Sequence, residues 1–150
     1  LASSALAESP VVFVVRHAER ADADGPAQPD PVLSETGRTR AAALAKELRD
    51  AGIGHIYTSE FKRTQETAAP LADSLGVKAE VVPGKETAAL VDKLKAGSGN
   101  TLVVGHSDTV PEIIKALGVS TAVTLGPKDY DDLFLVQMEQ PPRLIHLHYR

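Results

Sequence analysis

Two almost unbroken apolar stretches, "VVFVV" at residues 11–15 and "TLVVG" at 101–105, constrain this chain more than any other feature. A strand with one face in water alternates polar and apolar side chains, so a strand apolar at successive positions must be covered on both sides. The covering segments are legible around them. Ser34 is placed as the N-cap of "ETGRTRAAALAKELRDAG", in which Ala42, Leu44, Ala45 and Leu48 form an apolar stripe and Gly52 marks the end. "HIYTS" (55–59) reads as a short strand whose Ser59 caps the helix "EFKRTQETAAPLADSLG", with Pro70 positioned to kink it and Gly76 to end it. "KAEVV" (78–82) alternates as a strand, and "ETAALVDKLKAG" (86–97) has helical spacing at Ala89, Leu90 and Leu94. "TVPEIIKALG" is a further helix with Pro111 near its first turn, and "LFLVQM" and "RLIHLHY", separated by "EQPP", are two strands joined by a turn. The expected fold class is α/β: a three-layer sandwich with a mostly parallel sheet, helices on both faces and an antiparallel C-terminal strand addition.

At 150 residues and 43% hydrophobic, the chain suits one domain, taken as residues 11–150 behind a flexible segment 1–10. Sixteen Lys and Arg against 20 Asp and Glu, with no block of like charge, argue against nucleic acid as a partner. No apolar stretch approaches the roughly 18 residues that span a bilayer, so no membrane partner is expected. The absence of cysteine excludes disulfides, thiol catalysis and Cys-ligated zinc. Ala5-Leu6-Ala7 matches the A-x-A pattern of signal-peptide cleavage, which suggests a remnant of export and a periplasmic protein; the alternative, a plain tail, leaves it cytoplasmic. Nothing in the pattern specifies an oligomeric state.

In open parallel sheets, ligands bind beyond the carboxyl ends of the strands. Here the two apolar strands end in "RH" (Arg16, His17) and "GH" (Gly105, His106), and a third strand end leads into a helix carrying Lys62 and Arg63. Guanidinium forks suit phosphate oxygens, and an uncharged imidazole is a nucleophile near neutral pH. Nearby arginines keep a histidine neutral by like-charge repulsion and neutralise the equatorial oxygens of a phosphoryl transition state. Helix starts after Ser59 and Ser107 would add N–H donors. Protonation of the leaving oxygen needs a carboxylic acid, for which Glu19, Glu86 and Asp108 are the candidates.

These residues resemble the histidine phosphatase superfamily, the group of phosphoglycerate mutases and histidine acid phosphatases. "RHAER" resembles the family's opening Arg-His-Gly motif, "LSETGRTRA" (33–41) its Leu-Thr-x-x-Gly segment, "TSEFKRTQETA" (58–68) its Ser-x-x-x-Arg-Thr/Ala-x-x-Thr-Ala segment, and "VVGHSDT" (103–109) its Gly-His segment. The resemblance implies a phosphatase with His17 as the nucleophile that becomes phosphohistidine, and Arg16, Arg63 and His106 as phosphoryl-binding groups. It implies a proton donor at Glu86, by likeness to the mutase-like branch, while in the acid phosphatase branch the donor follows the second histidine, where Ser107 here intervenes before Asp108. No metal and no cofactor are implied, and the partner is a phosphorylated small molecule or a phosphoprotein. Ala18 stands where the family often has glycine, adding a methyl expected beside the phosphate. The chain lacks the long insertions that full-length mutases place over the site, which favours water as the phosphate acceptor and likens it to small phosphohistidine phosphatases.

Two other functions compete. A metallohydrolase would use His17-x-Glu19 and His106-x-Asp108 as ligands, with Arg16 and Arg63 arguing against a cation there. A non-catalytic phosphate- or phosphoprotein-binding module would keep the pocket without turnover. Among the remaining residues, His55 is read as structural and Lys62 as solvated. Ser34 serves as a cap and Gly37 as a close-packing site. His146 and His148, on one face of the last strand, are either metal ligands or ordinary edge-strand residues. Asp22, Asp24 and Asp30 in the loop 21–33 are expected to disfavour highly anionic substrates.

Overall fold

A computed structural model describes residues 9–150. The A-x-A tripeptide and the export reading lie outside them. Pro10, in the segment expected to be flexible, is tied to the sheet, its carbonyl accepting a hydrogen bond from Met138 N at 2.9 Å.

Among the described residues, six strands and four helices follow one another as β1 (Val11–Arg16), α1 (Glu35–Leu48), β2 (Ile53–Thr58), α2 (Lys62–Leu75), β3 (Glu80–Val81), α3 (Thr87–Ala96), β4 (Asn100–Gly105), α4 (Thr109–Ala116), β5 (Asp132–Gln137) and β6 (Arg143–His148). They build a single sheet in the order β3-β2-β4-β1-β5-β6. The first four of these are mutually parallel, and β5 and β6 add antiparallel to β1. The doubly covered strands are β1 and β4, adjacent at the centre with Val14 opposite Val103. Their side chains alternate between two cores. Val12, Val14 and Val103 pack with Leu90, Val91 and Leu94 of α3 and Val110, Ile113 and Ile114 of α4. On the other face Phe13, Val15, Leu102 and Val104 pack with Leu44 and Leu48 of α1 and Ala68 and Leu71 of α2. At about 25 cal/mol per Å² of buried apolar surface, this two-sided burial is the main stabilising term.

Ser34 caps α1 by accepting from Gly37 N at 3.0 Å, and Gly76 ends α2 in the left-handed conformation at φ 67°. Three local expectations are corrected. Ser59 does not cap α2: the N-cap is Phe61, without a side-chain cap bond, and the free Lys62 N–H donates instead to Asp30 Oδ1 at 3.0 Å, 32 residues away in sequence. The strand expected over 78–82 shrinks to two exposed residues, because β3 is an edge with β2 as its one neighbour and Pro83 follows closely. The Ala18 methyl is wholly buried with Leu33 and Ala41.

Gly37 explains how the loop after β1 is held against α1. A Cβ there would lie 2.2 Å from the Glu19 carbonyl oxygen, so only glycine allows the helix to pack this close. The same carbonyl accepts from Ser34 N at 2.9 Å, tying the helix start to the strand end.

Candidate functional site

The carboxyl ends of β1 and β4 lie side by side, and the main chain joins them directly, His17 N donating to Gly105 O at 2.8 Å. This brings His17 and His106 together, their rings 5.3 Å apart edge to face. His17 is only 4% exposed, and its Nδ1 lies 2.8 Å from the Ala18 carbonyl oxygen. A carbonyl can only accept, so Nδ1 carries the proton and the lone pair sits on Nε2. Burial, reinforced by the charges of Arg16, His106 and Arg63, lowers the His17 pKa to about 3 despite the opposing effect of the Ala18 bond. The ring is therefore neutral at pH 7.

Arg16 is anchored from the far side. Its Nη1 donates to the carbonyls of Gly126, Pro127 and Asp129 at 3.2–3.3 Å, and its guanidinium stacks 4.1 Å from the Tyr130 ring centroid. Arg63 stacks on Phe61 at 4.5 Å. The Nε groups of both arginines are buried and have no hydrogen-bond partner among the described residues. Two buried, unpaired guanidinium N–H donors beside a neutral imidazole suit an anion with several acceptor oxygens.

His106 Nε2 lies 2.8 Å from Ser59 Oγ, which is itself 2.9 Å from Thr64 Oγ1. Burial first and Arg63 second lower the His106 pKa to about 4. Thr67 Oγ1 accepts from Ala18 N at 2.9 Å, bracing the peptide next to His17 against α2. The Thr64 and Thr67 of "KRTQETA" thus hold the histidine-bearing strand ends. Sequence reasoning had quoted both in a motif without giving them a role, and it missed Ser59 as the His106 partner, along with Tyr130 and Phe61.

The three candidate proton donors have different surroundings. Glu19 is held by Arg40 through two bonds of 2.8 and 2.9 Å. Burial acts to raise its pKa, but the Arg40 bonds outweigh that and keep it below the usual carboxylate range. The pairing engages both Glu19 oxygens with the Arg40 guanidinium. Asp108 accepts from Thr109 N at 2.9 Å and lines a cleft of about 300 Å³ together with Glu60, Arg63, Lys85 and His106. Glu86 is exposed and lines an adjoining hollow with Ser59, His106 and Thr109. Glu60 fixes the turn before it, accepting from Gly84 N at 2.9 Å.

Two of the loop aspartates, Asp22 and Asp30, have defined partners. Asp22 Oδ1 lies 3.1 Å from Arg20 Nε as an ion pair without hydrogen-bond geometry, Asp22 Oδ2 accepts from Gln28 N at 2.8 Å, and Asp30 Oδ1 accepts from Lys62 N. His55 and Lys62 are exposed and lie outside the cluster. No helix among the described residues is long and apolar enough to cross a membrane.

Comparison with known proteins bears on the family and the fold. The family model of the histidine phosphatase superfamily (branch 1) matches residues 12–86. A protein named "Probable phosphoglycerate mutase GpmB" from Yersinia enterocolitica is 40% identical over 75 residues, covering 48% of this chain and 35% of that protein. The PE-PGRS family protein PE_PGRS11 of Mycobacterium tuberculosis is 44% identical over 59 residues, 39% of this chain and 10% of that one. The chain thus spans about a third or less of the length of these relatives. Among solved structures, the protein histidine phosphatase SixA complexed with tungstate superposes with TM-score 0.76 at 20% identity, covering 92% of this chain and 96% of that one. The mycobacterial glucosyl-3-phosphoglycerate phosphatase gives 0.73 at 14% identity, covering 94% and 98%. At these identities the two structures establish a shared fold, the phosphoglycerate mutase-like α/β sandwich.

Proposed function

Because the chain belongs to the histidine phosphatase superfamily, branch 1, we propose that it is a phosphatase that hydrolyses a phosphomonoester or a phosphohistidine through a covalent intermediate on His17. The observation that carries this reading is the Nδ1 contact of buried His17 with the Ala18 carbonyl, which leaves the Nε2 lone pair as the group able to attack. In the first step Nε2 forms a bond to phosphorus while the phosphorus bond to the leaving atom breaks. Charge spreads over the three equatorial oxygens, where the Arg16 and Arg63 guanidinium groups neutralise it beside the uncharged His106 ring. Glu86 gives its proton to the departing oxygen or nitrogen. In the second step water attacks phosphorus, Glu86 takes back a proton, and the P–N bond breaks to release inorganic phosphate and neutral His17.

Stacking on Tyr130 and three carbonyl acceptors pre-orient Arg16, so little ordering is left to be done when the anion binds. A phosphorylated small molecule and a phosphoprotein both fit the chemistry, and a cleft of about 300 Å³ opens beside Arg63 and His106.

The test is release of phosphate from p-nitrophenyl phosphate in excess EDTA. Wild type is expected to turn over, and His17→Ala to lose at least about 10³-fold, the scale on which removal of a covalent nucleophile acts. Wild-type protein that binds phosphate or vanadate without turnover would indicate the binding module, and activity abolished by EDTA would indicate a metal site.

A further inference from the structure

We propose that Asp132, His146 and His148 form a binding site for a divalent transition metal, apart from the phosphoryl pocket and taking Zn²⁺ or a similar imidazole-preferring ion. The three residues converge through sheet register. His146 and His148 are two apart on β6 and share a face, while Asp132 on β5 is the direct antiparallel partner of His148. One potential ligand atom from each lies within 4.8 Å of the others. His146 Nε2 is 2.7 Å and His148 Nδ1 3.6 Å from the same Asp132 oxygen, and Asp131 Oδ1 lies 3.3 Å from His148 Nδ1. Ligands bonded at 2.0–2.2 Å in a tetrahedron are about 3.3–3.5 Å apart, a spacing that these distances straddle.

Part of the site is already rigid. The His146 ring stacks on buried Phe134 with centroids 4.4 Å apart, and the Asp132 side chain is 11% exposed. The two histidines, at 46% and 58%, leave an open path for an ion. A His–Asp hydrogen bond needs one imidazole, whereas here two rings 5.0 Å apart turn different nitrogens toward one carboxylate. Two nitrogens with one or two carboxylates suit Zn²⁺, Ni²⁺ or Cu²⁺ rather than Mg²⁺ or Ca²⁺, which take oxygen sets. Asp131 and Asp132 directly follow the 126–130 segment that carries the Arg16 acceptors and Tyr130, so a bound ion would pin the end of that segment to β6.

Isothermal titration of the full chain with Zn²⁺, followed by thermal unfolding with and without the ion, tests this. One saturable equivalent and a Zn²⁺-dependent rise in Tm are expected. Both should disappear in His146→Gln/His148→Gln and persist in His17→Ala. His148→Gln alone, at an exposed position, should lose at least tenfold in affinity while keeping the ion-free Tm, which separates lost ligation from lost folding. Absence of saturable binding, or an unchanged equivalent in the double variant, would overturn the site. So would loss of the equivalent in His17→Ala, which would move the ion to the phosphoryl pocket.

Discussion

At the scale of single residues, the unresolved chemistry is which carboxyl group delivers the proton, and the neighbours of each candidate discriminate. Glu19 is bound at both oxygens by Arg40, whereas Glu86 is exposed and lines a hollow with His106 and Ser59. General-acid help matters in proportion to how poor the leaving group is. Glu86→Gln is therefore expected to slow hydrolysis of phenyl phosphate by about 10²–10⁴-fold while slowing p-nitrophenyl phosphate far less, because nitrophenolate departs without a proton. Asp108→Asn should leave that ratio unchanged. Steady-state kcat/KM for the two esters across the variants decides it, and an equal loss on both esters in Glu86→Gln would remove Glu86 from the role. Adjacency to a histidine points to Glu19 and Asp108, but a position two residues from a histidine says nothing about an arginine 21 residues away on a helix.

At the scale of elements, the strands were legible wherever burial on both faces removed the polar alternation. β1 and β4 stand out because no solvent face dilutes their pattern, and their central position follows from that same burial. The helix starts were less legible. Ser34 caps α1 through a contact three residues long, which a local pattern captures, but the N-terminal N–H of α2 is satisfied by Asp30 from the long loop, and Ser59 is committed to His106 and Thr64. A serine before a helix looks the same in both cases. Tyr130 was out of reach for a similar reason: the segment between α4 and β5 has no periodicity, and its ring matters only because antiparallel pairing of β5 with β1 returns it to Arg16. Gly37 is the position where one atom decides how two elements meet. Gly37→Ala would push a methyl to 2.2 Å from the Glu19 carbonyl, and backbone on both sides leaves it nowhere to go. Overpacking of this kind costs about 1–3 kcal/mol, or a fall in Tm of about 2–10 °C for a chain this size. Gly54→Ala, with nothing within 4 Å of the added Cβ, is the matched control and should stay within about 0.5 kcal/mol of wild type by urea unfolding. Equal effects at the two positions would remove the close contact as the cause.

For the whole molecule, the same burial that keeps His17 neutral makes the fold sensitive to acid. Both site histidines are neutral in the folded chain, with pKa values near 3 for His17 and near 4 for His106, while in the unfolded chain each protonates around 6.5. The sign follows from proton counts. Above pH 6.5 neither state binds these protons and stability is unaffected; below it the unfolded chain takes them up first, so stability falls as pH drops from 6.5 toward the folded values. The slope contributed by His17 approaches about 1.4 kcal/mol per pH unit, and His106, partly open to solvent, adds a smaller share. Urea unfolding at pH 7.5, 6.5, 5.5 and 4.5 should show a plateau above 6.5 and a decline below it. His17→Asn, which keeps a polar side chain but cannot protonate, should flatten the decline by about one proton. Imidazole C2–H resonances provide the direct check, since the His17 signal should hold its position between pH 7.5 and 5. An inflection of that signal near 6.5 would mean that the ring is hydrated and ordinarily basic in the folded chain, leaving Nε2 protonated in mildly acid solution and unable to attack phosphorus there.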